Sequence, residues 1–231
     1  MRKKSVWVFL ALLFSFTITG IDLPPVPQFK RPAPPQLPSP QVKPAPSVPP
    51  VTTPSATNSS APTAGAAVCL TAEEKRLVDL INQYRRTKGL PTLAATKSMT
   101  RVAQVHAKDL TDNRPASGMC NMHSWSAKGS WSACCYTSDH RQAKCMWKKP
   151  SELTQYRGSG FEISAGSSGA AIDAATALRV WQGSSGHNSV IVNIGMWNKP
   201  WQAFGVGMNA GYAVAWFGHE ADAAGVAEVC K

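Results

Sequence analysis

Two histidines and one glutamate carry the chemistry this sequence offers: His123, Glu162 and His187, with Ser184 three residues before the last. Glu162 stands between Phe161 and Ile163. A carboxylate in such a segment, once buried, needs a partner, which an imidazole or a metal ion can supply. Two imidazoles with one or two carboxylates or waters can hold Zn2+ or another divalent ion, although with fewer protein ligands than a structural zinc site normally has. The corresponding reaction is metal-assisted hydrolysis, with His123 and His187 on the ion and Glu162 as base or water-orienting group. Spacing alone does not bring these residues together.

Competing chemistries find less support. Ser124, Ser184 and Ser185 lie near histidines in sequence, but adjacency does not create a nucleophile, base and orienting acid. There is no Gly-x-Ser-x-Gly elbow, no His-Glu-x-x-His helix and no phosphate-binding glycine loop. His106 falls on the apolar side of a helical pattern and reads as a core or boundary histidine. His140 and His219 have no functional case, and Lys148-Lys149 reads as solvated surface. The tryptophans read mostly as core, with Trp125, Trp131 and Trp147 as the alternative lining of a binding cleft.

The elements that must position these residues begin with a marked helix. Thr71 can cap it while Glu74 reaches back to the cap. Leu77, Leu80, Ile81 and Tyr84 then share one face, opposite Glu73, Lys75, Arg76 and Arg85, and Gly89 stops the helix ahead of Leu90. A second helix is predicted over 98–110 and a third over 169–181, the latter burying Ile172, Ala175, Leu178 and Trp181. Residues 112–160 show no sustained periodicity, so cross-links and aromatic burial must replace regular hydrogen bonding there. Strand patterns cover 190–194, 203–208 and 212–217, the last two joined as a hairpin through Asn209, Ala210 and Gly211. Helices followed by closely spaced strands predict an α+β fold with an antiparallel sheet.

Six cysteines, Cys69, Cys120, Cys134, Cys135, Cys145 and Cys230, permit up to three disulfides. Cys134 and Cys135 are neighbours and poorly placed to bond to each other. Cys69 and Cys230 bracket the domain, so a link between them would join its ends. A metal reading of the cysteines lacks a Cys-x-x-Cys knuckle.

All six follow a leader and a tether. Arg2, Lys3 and Lys4 precede an apolar run of about 13 residues, Val6 to Ile18, broken only by Ser15 and Thr17. That layout predicts a signal peptide over residues 1–20, with a membrane anchor through residues 5–20 as the alternative. Between Pro24 and Pro62 lie 14 prolines and few large apolar side chains, so residues 21–67 read as a proline-rich disordered tether of extended, semi-rigid character. Residues 68–231 form the domain. The formal charge of +11 falls to a net of +6 in the domain, 18 Lys or Arg against 12 Asp or Glu. This balance permits attraction to anionic surfaces without naming a ligand, and an exported chain without a recognition module is not expected to bind nucleic acid.

From Cys69 to Gly218 the sequence resembles the CAP superfamily domain, that of cysteine-rich secretory proteins, antigen 5 and pathogenesis-related 1, in a bacterial form. The resemblance rests on Leu80-Ile81-Asn82-x-x-Arg85, His123-Ser124, the Glu162 segment, Trp181-x-x-Ser184-x-x-His187-Asn188, and Ile194 through Ala203-Phe204-Gly205-Val206-Gly207. It implies a three-layer α-β-α sandwich with a central cleft carrying two histidines and two acidic residues. His123 and His187 match the histidines, and Glu162 matches the acid of a Gly-Glu-Asn segment. Here that segment is Gly160-Phe161-Glu162-Ile163-Ser164, without the asparagine, and Ser184 stands at the second acidic position.

The resemblance implies a secreted or envelope-associated protein whose cleft binds a lipid, a glycan or a protein, and it implies no common reaction. No cofactor is required by this reading; Zn2+ or another divalent metal is the one the set could take. A third reading is a wall-proximal structural module with a vestigial cleft.

Overall fold

A computed structural model describes residues 67–167 and 169–231. The predicted leader and all but the last residue of the predicted tether lie outside the described residues. Among the described residues, no helix is long and apolar enough to cross a membrane.

The chain enters through a short strand, β1 (Cys69–Leu70), and helix α1 (Ala72–Thr87). The predicted capping box forms: Thr71 N–H donates to Glu74 Oε2 at 2.8 Å and Glu74 N–H donates to Thr71 Oγ1 at 3.2 Å. Gly89 takes a positive φ of 71°, and Leu90 N–H closes on the Arg85 carbonyl at 3.1 Å. Arg85 departs from the expected exposed face. It is buried because its guanidinium serves the carbonyls of Pro91 and Ile191 and the side chain of Asn193, tying α1 to the segment that follows the third predicted helix.

Helix α2 (Lys97–Asn113) is longer at both ends than the pattern predicted. The irregular stretch that follows contains two single-turn helices, α3 (Ala143–Trp147) and α4 (Lys149–Leu153). Lys149 is not solvated surface. Its side chain is buried, its ammonium donates to Glu152 at 2.7 Å and to the Ser132 carbonyl, and it sits 5.6 Å from the Trp125 ring. Strand β2 (Gly160–Gly166), which carries Glu162, was not foreseen as a strand.

The third predicted helix starts later than expected, as α5 (Ala174–Gly183), because Asp173 caps it by accepting from Thr176 N–H at 2.6 Å. Ala174 and Ala177 are buried there, whereas Ala175 is only half-buried. The predicted strand at 190–194 is instead the end of helix α6 (Ser185–Ile191) and the turn leaving it. The β-branched run misled the periodicity, and the Ser184 cap fixes the helix. After a 3-10 turn at Gly195–Trp197 come β3 (Ala203–Asn209), β4 (Tyr212–Gly218) and β5 (Glu228–Val229).

The central sheet is antiparallel in the order β2-β4-β3, and a small parallel pair joins β1 to β5. The predicted hairpin forms with Asn209 opposite Tyr212 and Ala210 at a φ of 46°. Alternation assigns the two faces. Phe161, Ile163 and Ala165, with Phe217 and Phe204, pack toward Leu77 and Ile81 of α1 and Leu178 and Trp181 of α5. The opposite face places Trp216 and Val214 against Met99, Val102 and Ala103 of α2. Helices thus flank the sheet on both sides, in the three-layer α+β arrangement expected.

Two glycines set how closely α2 approaches. A Cβ on Gly205 would lie 2.1 Å from the Thr100 nitrogen, and one on Gly207 would lie 2.2 Å from the Ala103 carbonyl carbon. Helix and sheet therefore meet backbone to backbone, which brings the inner side of α2 down to the level of β2.

Candidate functional site

Glu162 projects from β2 on the α2 side of the sheet, and its side chain has no exposed surface. Both its oxygens are engaged. Oε2 meets Nδ1 of His106, from α2, in a short contact, and Oε1 meets Nδ1 of His123 at 2.8 Å. Nε2 of His106 lies 3.0 Å from the Ser124 carbonyl oxygen, which can only accept. Both ring nitrogens of His106 thus face acceptors when Glu162 is ionised, one the carboxylate and the other the Ser124 carbonyl. Trp125 stacks on that imidazole, ring centroids 4.1 Å apart and planes 7° from parallel.

His123 donates from Nδ1 to Glu162, which leaves Nε2 as the nitrogen able to meet a ligand. Its side chain retains 18% exposure, while that of His106 retains none. The loop carrying it is locally fixed. His123 N–H donates to Asn121 Oδ1 at 3.0 Å, Trp125 and Cys134 exchange backbone hydrogen bonds, and disulfides Cys120–Cys135 and Cys134–Cys145 close the region. This is the substitution of cross-links and aromatic burial for regular structure that the composition predicts. The third disulfide joins Cys69 to Cys230, and no described cysteine is free.

His187 comes from α6, where Ser184 Oγ caps the helix by accepting from His187 N–H at 3.4 Å. Its ring centroid lies 6.3 Å from that of His123, nearly at a right angle. Its Nδ1 is buried without a hydrogen-bond partner among the described residues. Tyr136 borders the site, edge-on to His123 at 5.2 Å. The structure thus gathers His123, Glu162 and His187 and gives Ser184 a capping position beside them.

Burial alone would raise the Glu162 carboxyl, but His106 and His123 more than offset this and hold it below its ordinary value of 4.5. Burial, reinforced by His123, lowers His187 from its ordinary 6.5, with Glu162 opposing. Burial and then the charge of Glu162 raise the Tyr136 phenol.

These donors make a poor metal centre. Both Glu162 oxygens and His123 Nδ1 are already used, so only imidazole nitrogens remain, fewer than the three protein ligands of a usual catalytic zinc site. Among the described residues no group of three or more His, Cys, Asp or Glu is arranged to hold an ion.

His106 is the residue that sequence reasoning placed correctly in the core but did not connect to the site. The available signal was a histidine on a buried helix face, which needs partners for both nitrogens. Of the tryptophans proposed as cleft lining, Trp125 is buried beneath His106. Trp147 packs against Phe161, which points to the other face of the sheet, and Trp131 lines a different hollow.

The chain belongs to the Cysteine-rich secretory protein family, CAP, whose model matches residues 78–197, just over half of the chain. Similar solved structures include an extracellular protein containing a SCP domain from Bacillus anthracis, 21% identical with a TM-score of 0.46, covering 64% of this chain and 40% of its own. An outer surface protein of Borrelia burgdorferi is 18% identical with a TM-score of 0.43, covering 63% of this chain and 91% of its own. A cysteine-rich secretory protein of Staphylococcus aureus is 18% identical with a TM-score of 0.42, covering 64% of this chain and 38% of its own. The chain therefore spans well under half the length of two of these three proteins. No curated protein matches the chain.

Proposed function

We propose that this protein is an exported CAP module that binds an envelope or extracellular ligand, a lipid, a glycan or a protein, in the cleft around His123, Glu162 and His187. The observation that carries the reading is the fixed grip of buried Glu162 on two imidazoles, with a third close by. Such a cluster costs desolvation and favours no packing that an apolar trio would not provide, so a recognition role accounts for it better than stability does. Its product is one partly exposed imidazole, His123, held in a single tautomer beside His187.

Three disulfides support a location outside the reducing cytoplasm, as does the basic and apolar leader in the sequence. The extracellular and outer-surface descriptions of two similar structures agree with that location. The proline-rich stretch before the domain serves as its spacer. Metal-assisted hydrolysis is the weaker reading, because Glu162 has no free oxygen with which to act as a base.

The test is a screen of envelope lipids, glycans and proteins against the wild-type chain and its His123→Ala and His187→Ala variants. Binding that weakens in both variants supports the assignment. A ligand retained equally by both variants places recognition elsewhere.

A further inference from the structure

A second hollow, of about 570 Å³, lies on the outer flank of α2 and shares no residue with the histidine cleft. Its size is within the range of small-ligand sites, roughly 300–1,000 Å³. One wall is Trp131, and the indole is fixed on three sides. Its N–H donates to the Ser126 carbonyl at 2.9 Å, its edge meets Trp125 at a centroid distance of 5.3 Å, and its ring occupies the space where any Cβ on Gly129 would stand.

The charges of this groove are unevenly committed. Glu74 and Asp109 line it, but their oxygens are spent. Glu74 accepts from the backbone of Thr71 and Met208 and from Gln104, and Asp109 accepts from Ser126 and Asn113. Asp112 is paired with Lys108 at 2.6 Å. Among the described residues, neither Arg101 nor Lys128 has a carboxylate partner. What the groove leaves available is two cations, the amide oxygens of Gln104 and Asn113, the Asn209 amide, and one immobilised aromatic wall.

We infer that this groove binds an acidic glycan, with a sugar ring against Trp131, its hydroxyls on the amides and its carboxylate between Arg101 and Lys128. The other ligand classes fit less well. A lipid chain would have to lie among charged side chains, and a nucleic acid would find only two unpaired cations. An extended peptide would want an open strand edge, but where edge strand β3 lines the groove the Met208 N–H is taken by Glu74 and the Asn209 carbonyl by Thr111. Carboxylate recognition by arginine and lysine beside neutral hydrogen-bonding side chains matches a uronic-acid unit.

The experiment titrates the full, oxidised chain at neutral pH with tetragalacturonate, uncharged chitotetraose and tetraglutamate. Affinity and the Trp131 indole N–H resonance, assigned by its loss in Trp131→Phe, are followed. Tetragalacturonate is expected to bind at least about tenfold more tightly than either other probe and to move that resonance. The double variant Arg101→Gln/Lys128→Gln alters exposed or half-exposed side chains, so it should melt like wild type and lose the preference. Failure to bind tetragalacturonate, equal binding of tetraglutamate, or a preference that survives the double variant would overturn the inference. None of these results bears on the cleft assignment, whose own screen depends on His123 and His187.

Discussion

The imidazole of His106 lies flat on the indole of Trp125, 4.1 Å between centroids, while its two nitrogens face the Glu162 carboxylate and the Ser124 carbonyl. Every polar atom of that ring is satisfied in a place closed to water. Removing it leaves Glu162 buried with His123 alone. His106→Ala should therefore cost about 3 kcal/mol or more in urea unfolding, the scale for breaking one partner of a buried pair. The double variant with Glu162→Ala should cost clearly less than the sum of the two singles. Additive costs would mean that the two groups do not interact.

Acid should destabilise the fold in two stages. His187 and Glu162 both have folded values below their ordinary ones. For each, the unfolded chain takes up the proton first, so the stabilisation is fully present above the ordinary value and is lost as pH falls through the folded value. Stability should thus decline from near pH 6.5 downward and fall again below about 4.5. Urea midpoints across that range, compared with His187→Gln, should show the first decline flattened in the variant and the second retained.

The close approach of α2 to the sheet predicts that Gly205→Ala destabilises the domain by about 1–3 kcal/mol, the scale of overpacking. A Cβ there meets helix backbone, which cannot rotate away as a side chain can. The same displacement should lift His106 from Glu162. Thermal unfolding measures the first effect, and the histidine ring resonances measure the second.

The disulfides should differ in what they protect. Cys69–Cys230 spans a sequence separation of 161 and Cys120–Cys135 one of 15. In the chain-entropy account their removal costs about 5 and about 3 kcal/mol. Paired serine variants should show that order in chemical denaturation. Of these two, loss of Cys120–Cys135 should perturb the His123 ring in the folded state, because that bridge helps close the loop holding it.

Local features were legible in the sequence. The Thr71 and Glu74 capping box and the turn between Asn209 and Tyr212 involve residues three apart, and short-range geometry decides them. Charged residues satisfied from a distance were not legible. Arg85 reaches the carbonyl oxygens of Pro91 and Ile191 and Lys149 reaches that of Ser132, so both read as surface although both are buried. Likewise β2 is buried nearly throughout and carries an acid, which erases the alternation that marks a half-exposed strand. His123, Glu162 and His187 stood out by residue type, but spacing did not bring them together, and the family resemblance alone placed them in one cleft. His106 escaped because its partner lies 56 residues away and its neighbours in sequence give no sign of a carboxylate.

The most direct test of the account is the protonation pattern of the imidazoles, read by nitrogen-15 and proton NMR of the full chain at neutral pH. The structure predicts His123 carrying a proton on Nδ1, facing Glu162, and loss of that Nδ1 preference in Glu162→Leu. A His123 ring protonated on Nε2 and indifferent to Glu162 would contradict the arrangement on which the proposed cleft rests.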